Sequence, residues 1–357
     1  MSDFTAPSRR LRGVCFGAGY FSRFHADAWR RIPGVEIVAT VDRDLGRAQE
    51  LAAQLGLPAS AAGTDLAAAL DAAQPDFLDV IAPPDTHLAA VRLAAARRLA
   101  VICQKPLAPD WTGAVAVVAA ARQAGIRFMV HENFRWQPWY RELRRRLDAG
   151  ALGELFSISA RVRLGDGWPD DAYLARQPFF RTMPRLFVYE TGIHFLDTFR
   201  FLGGEIVSVH ARLQRRNPGI AGEDAAQIVC GFASGATAIL DASRFNESDA
   251  ADPRHTFATV RLDGRRGHLE LDAEGRLDFK PLGQPTRPLD YPHPRHGFAG
   301  DSVFAAQSHF VERLRDGGAF ETDGDDYLRT TALMEACYRS HASGQVVALD
   351  RNPPHFS

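Results

Sequence analysis

The stretch Gly17–Ser22, GAGYFS, follows a short apolar run and opens a helical pattern, and this order of strand, glycine turn and helix constrains the fold most strongly. Gly17 suits the tight turn, and Gly19 lets the backbone approach a pyrophosphate at a helix N-terminus. Ser22, a small residue, stands where a third glycine would be. Ala18, Tyr20 and Phe21 belong to the same turn and are expected to line the cradle. The next apolar run ends in Asp42, where a carboxylate accepts hydrogen bonds from adenosine ribose hydroxyls and repels a 2′-phosphate. Arg43 beside it could instead pair such a phosphate, so the spacing predicts NAD and leaves NADP open.

The pattern continues as short apolar runs alternating with Ala/Leu/Arg-rich helical segments, the signature of a doubly wound parallel sheet covered by helices. Strands are predicted near Gly13–Phe16, Glu36–Val41, Phe77–Ile81, Val101–Cys103 and Arg127–His131. Helices fall between them, near Ser22–Arg31, Leu45–Leu55, Leu66–Ala73, Thr86–Arg98 and Thr112–Ala124. After His131 the period changes to two, as in a half-buried, mostly antiparallel sheet. Val207, Val209, Ala211 and Leu213 should face one way, and Ser208, His210, Arg212 and Gln214 the other. Ser234-Gly235 and Glu274-Gly275 read as hairpin turns. Helices are expected at Trp136–Ala149, Val188–Leu202, Phe304–Arg315 and Asp325–Ser343, the last capped by Gly344. The Pro-rich segments Gly165–Pro184 and Pro281–Pro294 read as long irregular loops, of the kind used as lids or interface arms.

At 357 residues the chain exceeds what one core usually supports. The expected division is a dinucleotide-binding domain over 1–131 and a substrate-binding and oligomerisation domain over 132–357. With Lys+Arg 42 against Asp+Glu 43, nothing points to a polyanion, and nucleic acid is not an expected partner. The basic run Arg141–Arg146 reads as the solvated face of an amphipathic helix. Cys15, Cys103, Cys230 and Cys337 have no metal-ligand spacing and read as buried, reduced thiols. The N-terminus has no apolar signal core and no stretch approaches a membrane span, so the expectation is a cytoplasmic protein.

Two further segments carry chemistry. Lys105 ends the fifth strand and is followed by Pro106, so its ammonium can reach the crevice at the sheet's carboxyl edge and stabilise an alkoxide or move a proton; a surface lysine is the alternative. Arginines far outnumber lysines in this chain, which makes a lysine there more telling. APPDTH places Ala82, Pro83 and His87 at the same edge, although a Pro-Pro turn with Asp85 or Thr86 as N-cap explains half its composition. In YETGIHFLD a helical pitch would put Glu190, His194 and Asp197 on one face, with His194 as general base and Glu190 orienting a substrate or tuning the imidazole. A lone helical histidine is more often structural. Trp168, Phe180 and Arg181 could wall a sugar pocket, with Tyr189 beside them, or could simply pack the loop. No residue set has a metal spacing, so no metal is expected, and there is no G-x-S-x-G.

Taken together, the glycine turn, Gln104-Lys105-Pro106 and Glu190–His194 resemble the Gfo/Idh/MocA family of glucose-fructose oxidoreductases and inositol dehydrogenases across essentially the whole chain. Two positions depart from the family pattern: Gln104 stands for the usual Glu and Glu190 for the usual Asp. The resemblance implies a Rossmann domain followed by an open-faced α/β domain, NAD as cofactor, a sugar or polyol substrate, and a homodimer or homotetramer. It also implies catalytic roles for Lys105, His194 and Glu190, and cofactor contacts from Gln104, Asn133 and Arg135. HENFRWQPWYREL is similar to a subgroup acting on aldoses, which implies oxidation of a pentose such as D-apiose at the anomeric carbon to a lactone. An inositol or polyol dehydrogenase, another reductase on the same scaffold, and a non-catalytic NAD- or sugar-binding regulator remain as alternatives.

Overall fold

The computed structural model describes residues 9–350, which form two compact units. The first contains the chain up to Glu132 and takes back Val303–Leu328; the second contains Asn133–Ser302 and the chain from Arg329.

In the first unit, β1 (Leu11–Phe16), α1 (Ser22–Arg31), β2 (Val35–Val41), α2 (Leu45–Gln54), β3 (Ala62–Gly63), α3 (Leu66–Ala73), β4 (Phe77–Val80), α4 (His87–Ala96), β5 (Ala100–Gln104), α5 (Trp111–Gln123) and β6 (Phe128–His131) follow one another. The strands are parallel in the order β3-β2-β1-β4-β5-β6. This order reverses direction between β1 and β4, which opens a crevice at their carboxyl ends. β4 and β5 are buried at every residue, which is why both are continuous apolar runs interrupted by Asp79 and Gln104 alone. Asp44, Asp65 and Asp110 start α2, α3 and α5 by accepting backbone N–H groups of Arg47, Ala68 and Gly113.

The returning segment completes this unit. Phe310 packs on Phe77 with ring centroids 5.5 Å apart and on Phe320 at 5.3 Å. Thr322 takes the Val130 N–H on its carbonyl at 2.8 Å and donates its hydroxyl to the Val130 carbonyl at 2.6 Å, covering the outer edge of β6.

In the second unit, α6 (Pro138–Asp148) and β7 (Leu155–Arg163) lead through the long insert to a π-helical turn, Phe187–Gly192, that runs into α7 (Ile193–Gly203). β8 (Ile206–Gln214), β9 (Ala225–Phe232), β10 (Thr237–Ser243), β11 (Thr259–Gly264), β12 (Gly267–Leu271), β13 (Leu277–Pro281) and β14 (Arg287–Leu289) follow; α8 (Ser302–Asp316) belongs almost wholly to the segment returned to the first unit, α9 (Gly324–Ser343) starts there and passes back into the second, and β15 (Val347–Ala348) is the last described element. The sheet order is β14-β13-β12-β11-β7-β10-β9-β8-β15, antiparallel except where β7 and β10 run parallel. Ile158, Ala160, Val162, Ile228, Cys230, Ala238 and Leu240 are buried on one face, while Arg161, Gln227, Val229, Thr237 and Ile239 are exposed on the other.

Three local expectations change. β14 forms inside Pro281–Pro294, where an irregular loop was expected, because Leu277, Asp278 and Phe279 offer a free strand edge to Arg287–Leu289. The helix expected from Val188 begins as a π-turn, because the buried Glu223 carboxylate takes the N–H groups of Leu186 and Val188. Val207 is half-buried, next to a bulge between Ile206 and Ser208. The expected caps and hairpins form: Gly344 has φ +69° and donates to the Ser340 carbonyl at 2.8 Å, and Gly235 and Gly275 turn with φ +91° and +84°. Among the described residues no helix is long and apolar enough to cross a membrane.

Candidate active site

The glycine turn forms at the carboxyl end of β1. Gly17 has φ +102°, and a Cβ there would lie 2.4 Å from the Ala82 nitrogen, so no other residue fits. Gly19 has no atom within 4 Å of its Cβ direction, which leaves the approach that a pyrophosphate needs. The Ser22 hydroxyl donates to the Gly19 carbonyl at 2.7 Å and closes the turn onto α1. Asp42 has a second task besides the expected one: one carboxylate oxygen accepts the Ala18 N–H at 2.7 Å and the other the Asp44 N–H at 2.9 Å. Each oxygen keeps a second lone pair for a ribose hydroxyl. Arg43 is exposed, and Tyr20 is stacked under Arg23 at 4.2 Å. The turn therefore leaves open backbone at Gly19 and acceptor capacity on Asp42, while the Ala18 N–H is turned towards Asp42 and the Phe21 ring packs inward on His25.

Along the same sheet edge, Ala82 is buried and Pro83 exposed, ahead of a 3-10 turn over Pro84–Thr86. Thr86 sits at the N-cap of α4, yet its hydroxyl donates back to the Pro83 carbonyl at 2.7 Å and caps nothing. His87, expected as a cofactor contact, is fully buried and points Nε2 at the Ala82 carbonyl (2.9 Å) and Nδ1 at the Leu107 carbonyl (3.0 Å). Burial lowers its pKa and outweighs the two carbonyls, which favour charge. His87 thus ties the end of β4 to the segment after Lys105. Lys105 is half-buried just beyond β5, joined to Pro106 by a cis peptide bond, and its backbone N–H donates to its neighbour Gln104 Oε1 at 3.1 Å.

The second unit assembles the other candidates around α7. The His194 ring stacks face to face on Phe134, with centroids 3.9 Å apart and planes 5° from parallel, and its residue is 6% exposed. Its imidazole plane is therefore fixed. Arg135, expected on the cofactor side, is buried and gives Nε and Nη2 to the two Asp197 oxygens at 2.7 and 2.6 Å. Asn133 donates to Ser302 Oγ at 2.8 Å. Both residues brace the segment that carries Phe134.

Glu190 is held by residues that the sequence did not single out. The Thr191 hydroxyl donates to Glu190 Oε2 at 2.5 Å, and Arg244 Nη1 donates to the same oxygen at 3.2 Å. Arg244 is buried, lies against the Tyr173 and Phe180 rings, and forks onto Asp166 with Nε at 3.1 Å and Nη2 at 2.6 Å. Burial works against the Arg244 charge, but Asp166 and Glu190 hold its pKa above the ordinary value. Burial likewise works to raise the Asp166 carboxyl, yet Arg244, Arg254 and Arg176 hold it below its ordinary value. The insert itself folds on a small core of Ala172, Tyr173, Phe180, Leu186 and Ile220. Arg181, expected at the substrate, reaches the Asp170 and Ala172 carbonyls instead. Trp168 is half-exposed, with its indole N–H on Glu247 at 3.2 Å, and Tyr189 is buried, its N–H on the Tyr338 hydroxyl.

A parallel sheet in this order, with a glycine turn at its switch point and an acid after the second strand, defines a dinucleotide-binding domain of the Rossmann class. The chain belongs to the Gfo/Idh/MocA oxidoreductase family: residues 11–132 match its NAD-binding Rossmann fold and residues 140–270 its C-terminal domain. It is 38% identical to a D-apiose dehydrogenase of Paraburkholderia graminis over 98% of this chain and 92% of that protein. It is 35% identical to a D-apiose dehydrogenase of Rhizobium rhizogenes over 94% and 97% of the two chains. Among solved structures, an oxidoreductase from Agrobacterium radiobacter in complex with NAD+, L-tartaric acid and magnesium is 34% identical, with a TM-score of 0.86 over 95% of this chain and 98% of that one.

Proposed function

We propose that this protein is an NAD-dependent sugar dehydrogenase that oxidises a pentose, with D-apiose favoured, at the anomeric carbon to give the lactone. The similarity to two D-apiose dehydrogenases over nearly the full length of each carries this reading. Bound on the Gly17–Phe21 turn and Asp42, NAD supplies the hydride acceptor. His194, its ring plane held by Phe134, takes the proton of the anomeric hydroxyl. Lys105 steadies the oxyanion that develops as the proton leaves. Glu190, steadied by Thr191 and Arg244, accepts a hydrogen bond from a neighbouring sugar hydroxyl and fixes which carbon reacts.

In this reading the protein is also a cytoplasmic homodimer or homotetramer. Its four buried free cysteines agree with a reducing compartment. The cross-strand pair Val229 and Ile239, 44% and 43% exposed at the middle of the bare sheet face, favours a second copy as the cover.

The test is NAD reduction, followed at 340 nm, by purified protein with D-apiose, other pentoses, hexoses and inositols, repeated with His194→Ala and Lys105→Ala. Turnover of D-apiose that collapses in both variants is expected. Turnover of inositols without any pentose, or tight NAD binding without turnover of any sugar, would overturn the assignment.

A further inference from the structure

Beneath the glycine turn the first unit buries a polar cluster that the proposed chemistry does not use. Asp79 of β4, His25 of α1 and His131 of β6 are completely buried, and Gln104 at the end of β5 is 7% exposed. Asp79 Oδ2 faces His25 Nδ1 at 2.8 Å, accepts the Trp29 indole N–H at 2.7 Å and lies 3.9 Å from the Cys15 thiol. Gln104 Nε2 lies 2.9 Å from His25 Nε2 and 2.9 Å from His131 Nδ1, and its Oε1 accepts the Lys105 backbone N–H at 3.1 Å. The two imidazoles are 4.2 Å apart, and Phe21 of the glycine turn packs on them at 5.5 and 6.4 Å.

Proton positions follow from a group that cannot change sign. A backbone N–H only donates, so the Lys105 nitrogen requires the oxygen of the Gln104 amide and orients that amide uniquely. The amide NH2 then faces the two histidines, and its two hydrogens meet two ring nitrogens that must be bare. His25 therefore carries its proton on Nδ1, where Asp79 accepts it, and His131 carries its proton on Nε2. Both N–H donors of the Gln104 amide are used, and its oxygen accepts the Lys105 N–H. A carboxylate at this position, as the family pattern has it, would only accept: His131 could meet it by moving its proton to Nδ1, but His25, whose Nδ1 proton is held by Asp79, would need a second one.

We propose that Gln104 is a positioning residue: its neutral amide sorts the protons of His25 and His131 and ties the backbone of Lys105 to the helix that opens the dinucleotide cradle. The tie holds the lysine at a fixed height above the sheet without placing a charge beside it. Cys15 and Cys103 are the other titratable groups against this cluster; burial, with the Asp79 charge, pushes both thiols up, so neither contributes a proton. The structural claim stands on this geometry alone, whereas its catalytic consequence rests on the role proposed for Lys105.

The test uses intact protein with ring-15N-labelled histidine, with the signals of His25 and His131 assigned from His25→Gln and His131→Gln. Near neutral pH the expected spectrum shows His25 protonated on Nδ1 and His131 on Nε2, each with a single ring proton. In Gln104→Glu a second proton should appear on His25, and in Gln104→Met, which has no donor, His131 should lose its fixed tautomer while Asp79 still holds the His25 proton on Nδ1. In both variants kcat with the sugar should fall on the order of tenfold to a hundredfold while NAD affinity changes much less, the signature of a misplaced group rather than a lost cradle. Either ring doubly protonated in the unaltered protein, or the opposite tautomers, would overturn the proposal. So would a Gln104→Met variant with the His131 tautomer and kcat unchanged. A Lys105→Ala variant that retained full turnover with the expected tautomers in place would instead overturn the role of the lysine and leave the proton arrangement standing.

Discussion

Replacing Arg244 by methionine removes the charge at the centre of the Asp166–Arg244–Glu190 chain while keeping a similar volume between Tyr173 and Phe180. Asp166 is left with Arg254 and Arg176 at 3.4 and 3.5 Å in place of a 2.6 Å fork. Breaking a buried pair from one side costs about 3–5 kcal/mol when the remaining charge is uncompensated, and the two more distant arginines put the expected loss at or below the lower end, about 2–3 kcal/mol. Glu190 keeps its Thr191 hydrogen bond and is partly exposed, so it loses one charge-assisted hydrogen bond, worth about 1.5–3 kcal/mol at full burial, and not its place. With about half of that reaching the transition state, kcat/KM should fall on the order of tenfold, chiefly through KM. Urea unfolding and steady-state kinetics measure the two effects separately. The double variant Arg244→Met/Asp166→Leu separates them further: deleting both partners should restore most of the stability, since apolar replacement of a buried pair is often near neutral, but it should not restore KM. A double variant that recovered both, or a single variant that lost less than about 1 kcal/mol, would refute the reasoning.

Gly17→Ala should lower stability by about 2 kcal/mol or more and weaken NAD binding, measured by thermal melts and calorimetry, because its φ of +102° and its contact with Ala82 exclude a Cβ. Phe134→Leu should free the His194 ring and lower kcat about tenfold, with NAD affinity unchanged; a parallel loss of NAD affinity would count against the stacked ring as the cause. The Asp166 carboxyl is held low, so its stabilising contribution is complete above its unfolded pKa of about 4 and disappears as pH falls through the lower folded value. Urea midpoints compared between about pH 6 and pH 3 should therefore drop less for Asp166→Asn than for the unaltered protein.

The parts of the site that sequence made legible are those whose chemistry is local. Gly17, Gly19 and Asp42 follow from a turn and a strand end, and Lys105 from the abrupt exit before a proline; the parallel strands followed from continuous apolar runs. What stayed hidden depends on partners far along the chain. Arg135 read as a cofactor residue because nothing near it announces Asp197, 62 residues away. Arg181 and His87 had the right side chains for a ligand, but backbone carbonyls take them. Arg244 and Asp166 lie 78 residues apart in stretches without any motif, so only the folded chain makes them a pair. The π-turn before α7 was equally invisible, since the Glu223 carboxylate that interrupts the backbone ladder reaches it from the other side of an apolar segment.

The return of Val303–Leu328 to the first unit also sets a schedule for synthesis. Val130 emerges from the ribosome 192 residues before Thr322, the residue that closes over it. At roughly 5–20 residues per second, β6 waits some 10–40 s with its outer edge bare, long enough for intermolecular strand pairing. A fragment ending at Glu132 would keep the glycine turn, Asp42 and Lys105 yet never receive Phe310, Phe320 or Thr322, and should aggregate where the whole chain folds. The nascent protein thus carries an unpaired strand edge through mid-translation, and a holdase that shields that edge until Thr322 arrives should raise its yield.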